Sequence, residues 1–383
     1  TEYEGRVTGS DICNAAGDWI YDEFNNMSNL IVRKHFWSAR GNIYHSFQRY
    51  NGENVIAELP GKLDNNQIFV FSAHYDVSNY NSPGALDNGA GVAVLLTIAR
   101  TLSEYSFEHT IRFIAFSGEE QGFLGSYSYA KECYTANEQI AGVLNADVIG
   151  NNTFGSNGWF PDPNLVRAFS TYPAKWIVTV MSDVCHEYNI PIHIQRRPYF
   201  GNSDDKAFDD YGYPVMQLFQ SAGGMESFYG TEDDTKCLIN FSYLFNVTKC
   251  FAAGLAVLSD YPQAYPIVRI TNPKADKMYV AGFNSLILSK GRTIVLGPSH
   301  VTAFIDNVKD DTIKNITFEL IQGRNDNGID DENRVRIARF NISTPPYEWR
   351  IKERCFGWYT LRAEMYNETD VSFSNEVNVF IIR

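Results

Sequence analysis

The chain has 383 residues, 44% apolar and 14% aromatic, enough for two or three domains with sizeable cores and too apolar for disorder. Its net charge of −13 and the lack of any basic stripe exclude a nucleic-acid partner, because gripping a phosphate backbone needs clustered lysine and arginine. No window reaches the roughly 18 consecutive apolar residues that span a bilayer, so no membrane span is expected.

In chain order, Thr8-Gly9-Ser10 reads as a helix start, and Asp11 to Phe24 follows with Ile12, Ala15, Ala16, Trp19 and Ile20 on one predicted face. Asn54 to Leu59 and Ile68 to Ala73 read as strands, the second nearly all apolar and therefore central. A helix from Gly89 to Ser103, a strand from Thr110 to Ser117, a helix near Ser126 to Glu132 and a strand from Ile140 to Ala146 continue the alternation. A helix near Lys175 to Tyr188, a strand from Pro214 to Phe219 and a closing helix from Phe241 to Leu258 complete it. Such alternation predicts an α/β fold, a doubly wound, mostly parallel sheet with helices on both faces, over residues 1–262.

The two prolines of Ser259 to Pro266 break that rhythm. Beyond them only short alternating runs recur, which predicts an all-β sandwich over residues 263–383. Pro345 to Trp349 and Gly357 to Asn367 resemble the last strands of bacterial Ig-like modules, which implies an Ig-like domain suited to self-association or surface attachment.

Six cysteines form an even set without CxxC spacing, so disulfides are favoured over a thiolate metal site. Glycosylation sequons stand at Asn26, Asn151, Asn240, Asn246, Asn315, Asn341 and Asn367. Together these point to an extracellular glycoprotein, secreted or at the cell surface. Thr1-Glu2-Tyr3 has no signal-peptide pattern, which fits a mature form whose leader has been removed.

Four blocks carry the chemistry: AHYD at 73–76, GALDNGAG at 84–91, SGEEQG at 117–122 and NADVIG at 145–150. Each delivers His, Asp or Glu where an apolar strand meets a glycine-bearing turn, and strand ends of an α/β sheet converge on one rim. His74 and Asp76 project to the same side, so Asp76 is placed to fix the imidazole. Asp87 has the position of a helix cap and also two oxygens able to bridge cations. Glu119 and Glu120 point in opposite directions, so one can bind metal while the other faces water and substrate. Asp147 ends a further apolar strand, and a cation offsets the repulsion of so many anions.

These blocks resemble the zinc peptidase family 28, typified by aminopeptidase Y and the bacterial leucyl aminopeptidases. The resemblance covers about residues 5–260, including the SDDKAF block at 203–208. It implies that His74 and Asp147 hold one zinc, that Asp87 bridges and that Glu120 holds a second. It further implies that Glu119 is the general base for hydrolysing N-terminal residues from peptides. One position departs from the pattern: where relatives carry a final ligand histidine in a His-Thr-x-x-Asp run, this chain has Gly230. One or two zinc ions are therefore expected, with Tyr229 or Glu226 as stand-in ligands. The alternative is a weakened or inactive surface protein on the peptidase scaffold, as in the transferrin receptor. A single-zinc glutaminyl-cyclase-like enzyme is a third option. His186 and His193 read as structural or solvated, with His193 placed to approach the cleft. Asp204 and Asp205 read as helix caps, and Asn325 to Asp331 loosely as a calcium loop.

Overall fold

The computed structural model describes residues 5–41, 48–64, 67–152, 162–220, 228–280, 283–288, 290–298, 300–307, 313–329, 333–367 and 372–383. Its first part runs α1 (Asp11–Asn25), β1 (Ile31–Arg40), β2 (Arg49–Leu59), β3 (Ile68–His74), α2 (Ala90–Leu102), β4 (Thr110–Phe116), α3 (Leu124–Thr135) and β5 (Ile140–Ala146). It continues with β6 (Leu165–Ser170), α4 (Lys175–Glu187), β7 (His193–Pro198), α5 (Asp205–Asp210), β8 (Val215–Gln220) and α6 (Phe241–Ser259). The eight strands form one sheet in the order β1-β2-β4-β3-β5-β8-β6-β7. Its centre, β4-β3-β5-β8, is parallel; β1 pairs antiparallel with β2, β2 with β4, and β6 with β8, while β6 and β7 run parallel to each other.

The central strands are buried on both sides, which is why they read as continuous apolar runs. In β3, Phe69, Phe71 and Ala73 face the core shared with α1, α2, α4 and α6, while Val70 faces the core shared with α3 and α5. The expected helices on both faces are therefore present. Strands β1, β6 and β7 lie toward the sheet edges and are only partly buried, β7 at no position fully, so they carry no continuous apolar run in the sequence.

Ser10 caps α1 as expected, its hydroxyl accepting from Cys13 N. The buried face differs from the predicted one: Cys13, Gly17, Ile20 and Phe24 pack inward, while Trp19 is 55% exposed. A Cβ on Gly17 would lie 2.9 Å from the Tyr75 hydroxyl, so the helix turns its small residue, not its tryptophan, toward the sheet. The apolar helix α6 is long enough to cross a bilayer by composition, and here it packs on the sheet as a core helix.

The chain then enters ten strands: β9 (Ile267–Asn272), β10 (Lys277–Val280), β11 (Phe283–Ile287), β12 (Thr293–Leu296), β13 (His300–Asp306), β14 (Ile313–Gln322), β15 (Arg336–Ile342), β16 (Glu348–Arg350), β17 (Phe356–Asn367) and β18 (Ser372–Ile382). They form a seven-stranded sheet, β11-β10-β12-β18-β17-β14-β15, and a three-stranded one, β16-β13-β9. Val268, Ile270, Val301 and Trp349 of the small sheet pack against Ile316, Phe318, Leu361 and Val379 of the large one. The region is a two-sheet sandwich.

All six cysteines are thiols, so the expected disulfide framework is not present. Asn26 and Asn341 are exposed, but Asn151 is 2% exposed and Asn240 caps α6 with its side chain, so the seven sequons are not equivalent acceptors.

Candidate metal centre

Strands β4, β3 and β5 are parallel neighbours, so their carboxyl ends share one rim at a strand spacing of about 5 Å. His74 is the last residue of β3, Asp147 directly follows β5, and Glu119 and Glu120 lie just beyond β4. The imidazole is buried, with Nε2 3.2 Å from Asp87 Oδ1 and 3.4 Å from Asp147 Oδ1. His74, Glu119 and Asp147 each bring a ligand atom within 4.8 Å of the others. Four blocks spread over 78 residues of sequence thus converge as their order suggested.

Asp87 is not a helix cap. The helix starts at Ala90, and Asp87 sits in the preceding turn, Ala85–Gly89, with non-helical torsions and a cis peptide to Asn88. That turn is held from outside. Asp234 Oδ1 accepts from Leu86 N at 2.7 Å and Oδ2 from Asp87 N at 3.1 Å. Asn88 donates to the Ala146 carbonyl at 2.8 Å and accepts from Gly91 N, tying the turn to the end of β5 beside Asp147. Gly91 is required here, since a Cβ would sit 2.7 Å from that same carbonyl.

Asp76 supports the site differently from expectation. His74 Nδ1 lies 3.2 Å from the Asp76 backbone carbonyl and 3.8 Å from its carboxylate. The carboxylate instead accepts from the Glu119 and Glu120 amides, both at 3.3 Å, and from Thr8 Oγ1 at 2.9 Å. Thr8 in turn accepts from Gly118 N. Asp76 thereby fixes the backbone that presents both glutamates, a role no HxD pattern announces.

The electrostatics call for a cation. Burial would push the His74 imidazole down, but Glu119 and Asp147 outweigh it and hold the proton well above the ordinary range. Burial, then Glu120 and Asp147, raises the Glu119 carboxyl far up against the pull of His74. Glu120 is pushed up to about 8 by burial and by Asp87. Asp204, expected as a cap, makes no capping bond; it lies wholly buried, neither oxygen has a hydrogen-bond partner, and burial lifts it to about 8. Asp205, also buried, rises to about 6 and lies 3.4 Å from Asn145, which also bonds Ser203 and Ser72. Sequence reading missed Thr8, Asn88, Asp204 and Asp234; the last was visible only as the end of the Thr-x-x-Asp run.

A set of one imidazole and several carboxylates, mutually repelling and paired with no lysine or arginine among the described residues, fits a divalent metal of the zinc type. The fifth expected ligand is absent. Gly230 has φ +68°, and a Cβ there would meet Ser78 Oγ at 2.5 Å. Tyr229 packs with Leu86 and Val148 in a small apolar cluster, and Glu226 lies outside the described residues. His193 does not approach the cleft: it is exposed and paired with Asp162 at 2.6 Å. His186 is solvated in the last turn of α4. The Asn325–Asp331 segment is not assembled as a calcium loop where described: Asn325 donates to Asp209, and Asp326 pairs with Lys206 and Arg324, while Asp330 and Asp331 lie outside the described residues.

Comparison with known proteins bears on the fold and the family. A probable zinc metalloprotease of Pyrenophora teres f. teres is 34% identical over 179 residues, covering 42% of this chain and 35% of that protein. The chain thus spans about a third of the length of that curated relative. Among solved structures, the Legionella pneumophila LapA aminopeptidase matches with a TM-score of 0.55 at 19% identity, over 68% of this chain and 69% of that one. A Porphyromonas gingivalis glutaminyl cyclase matches at 0.55 with 18% identity, over 66% and 92%. At such identities these two establish a shared fold. Residues 54–253, just over half of the chain, match the model of peptidase family M28, and the chain belongs to that family.

Proposed function

We propose that the chain is a zinc-dependent aminopeptidase, with residues 1–262 as its catalytic domain and 263–383 as an Ig-like appendage for attachment or self-association. The observation that carries this reading is the convergence of His74, Asp87, Asp147 and the Glu119–Glu120 pair on one buried rim. Family membership and the zinc named in its relatives support it.

In this reading His74 and Asp147 would hold one zinc, and Asp87 and Glu120 would serve a second. Zinc, when bound, supplies Lewis acidity toward the scissile carbonyl and lowers the pKa of water. Glu119 takes a proton from the attacking water on its carboxylate, and the water oxygen adds to the carbonyl carbon. Glu119 then returns the proton to the amide nitrogen as the C–N bond breaks and the amine leaves. Asp76 keeps that carboxylate in position through the Glu119 amide. The uncompensated acidic rim attracts a cationic peptide N-terminus, which favours exopeptidase cleavage. The exposed sequons Asn26 and Asn341 support an extracellular location as part of this reading.

Gly230 supports a second reading, in which the second zinc is held weakly or lost and turnover is low or absent. One experiment separates the two: zinc content by mass spectrometry beside release of N-terminal residues from aminoacyl substrates, with and without chelator. The first reading expects chelator-sensitive turnover, and Glu119→Gln lowers it by about a thousandfold while leaving bound zinc unchanged. Zinc-loaded wild type that cleaves no member of an aminoacyl substrate library sinks the aminopeptidase reading and favours the second.

A further inference from the structure

Far from the rim, Cys185 of α4 and Cys250 of α6 bring their sulfurs to 3.1 Å across the contact between the two helices. Closing that gap to the roughly 2.05 Å of a disulfide takes a movement of about 1 Å. The two thiols differ in access. Cys250 is fully enclosed, among Met181, Val247 and Phe251 of the same core. Cys185, 4% exposed, lines a surface depression of roughly 480 Å³ together with Ser182, His186, Ile190 and His193. Cys185 is therefore the one nearer the surface, and Cys250 has no exposed face.

We propose that Cys185 and Cys250 are a disulfide-forming pair, with Cys185 as the entry thiol and Cys250 as the resolving thiol, oxidised by low-molecular-weight disulfides. The Cys185 thiolate attacks one sulfur of the oxidant, expelling one thiolate and leaving a mixed disulfide. The Cys250 thiolate then attacks the Cys185 sulfur, forms the S–S bond and expels the second thiolate. Two electrons pass from the protein sulfurs to the oxidant, and the two protein protons end on its thiols. The sulfur–sulfur hydrogen bond holds Cys185 below the ordinary thiol range and Cys250 well above it, in keeping with that order. The remaining cysteines lack such a partner sulfur: Cys13, Cys133 and Cys355 are buried, and Cys237 is exposed.

The cross-link closes the stretch that contains β7, α5, β8, Gly230 and Asp234. It therefore constrains the segment that carries Asp234, which holds the Asp87 turn, and it stabilises chiefly by restricting the unfolded chain.

The test incubates the full chain with oxidised glutathione and maps its peptides without reduction, after alkylating free thiols in denaturant. The expected result is a Cys185–Cys250 cross-linked peptide, with Cys237 glutathionylated as the internal control. The melting temperature should rise on the order of 5 °C, reverse with dithiothreitol and stay unmoved by glutathione in Cys185→Ala. Recovery of Cys185 and Cys250 as alkylated thiols, while Cys237 is modified, overturns the proposal. This mapping reads the wild type, so it stands even where the variant fails to fold.

Discussion

The buried charges of the sandwich and those of the rim are built on opposite plans. In the sandwich, Arg362 is 1% exposed; it donates from Nε to Glu376 at 2.7 Å, pairs with Glu319 at 3.3 Å and stacks 3.5 Å over the Tyr172 ring. Each anion there has a cation, and the guanidinium also joins β14, β17 and β18 to the turn before α4. At the rim, by contrast, Asp76, Asp87, Glu119, Glu120, Asp147 and Asp204 crowd around a single imidazole. A fold that balances its charge in one place and leaves it unbalanced in another marks the second as the place where charge from outside is used.

The comparison breaks most visibly at Arg362. Replacing it with methionine leaves Glu376 buried without its cation, while Glu319 keeps Arg336 at 2.9 Å, at a cost of about 3 kcal/mol. Denaturant unfolding should show that loss, with turnover per folded molecule unchanged. A loss below about 1 kcal/mol would mean that the network is solvated and the contrast with the rim is false.

Much of the rim was legible in sequence because its donors lie at the ends of strands buried on both faces. Such strands are unbroken apolar runs, and their parallel order puts His74, Glu119 and Asp147 side by side. What stayed hidden is held by long-range contacts between polar residues. Asp234 grips the Leu86 and Asp87 amides from 147 residues away, and Thr8 reaches Asp76 and Gly118 from the N-terminal segment. Neither residue belongs to a periodic pattern, so nothing local distinguishes it from a turn residue. The inward face of α1 was misread for a related reason: hydrophobicity favoured Trp19, while close approach to Tyr75 and Glu53 favoured Gly17.

Asp234 gives the means to sharpen the rim side of the comparison. Asp234→Asn keeps the size but leaves only one oxygen for two amide donors, and turns an NH2 toward the other. The Asp87 turn should loosen, and zinc affinity, measured by competition with a chromophoric chelator, should fall about 10- to 100-fold. Unchanged affinity would show that Asp87 is positioned by the β5 end alone, through Asn88.

Between the two plans lies a third cluster, where α5 meets the sandwich. Lys206 pairs with Asp210, with Asp209 at 3.6 Å and with Asp326 at 3.1 Å, and Arg324 pairs with Asp210 and Asp326. The two cations hold Asp326 down at about 2, yet burial, with the neighbouring Asp210 and Asp326, lifts Asp209 to about 8 against the pull of Lys206. A carboxyl whose folded pKa lies above its unfolded value binds its proton more tightly when folded. Its contribution is fully present below about 4 and is lost as pH rises through about 8. The wild type should therefore lose stability between those limits through Asp209, and Asp209→Asn, which cannot ionise, should lose less. Thermal melts at pH 5 and pH 8.5 read the effect: the variant should gain on the wild type at the higher pH and show little difference at the lower. Parallel pH profiles for the two proteins would mean that Lys206 balances Asp209 fully, and would move this cluster to the sandwich side of the comparison.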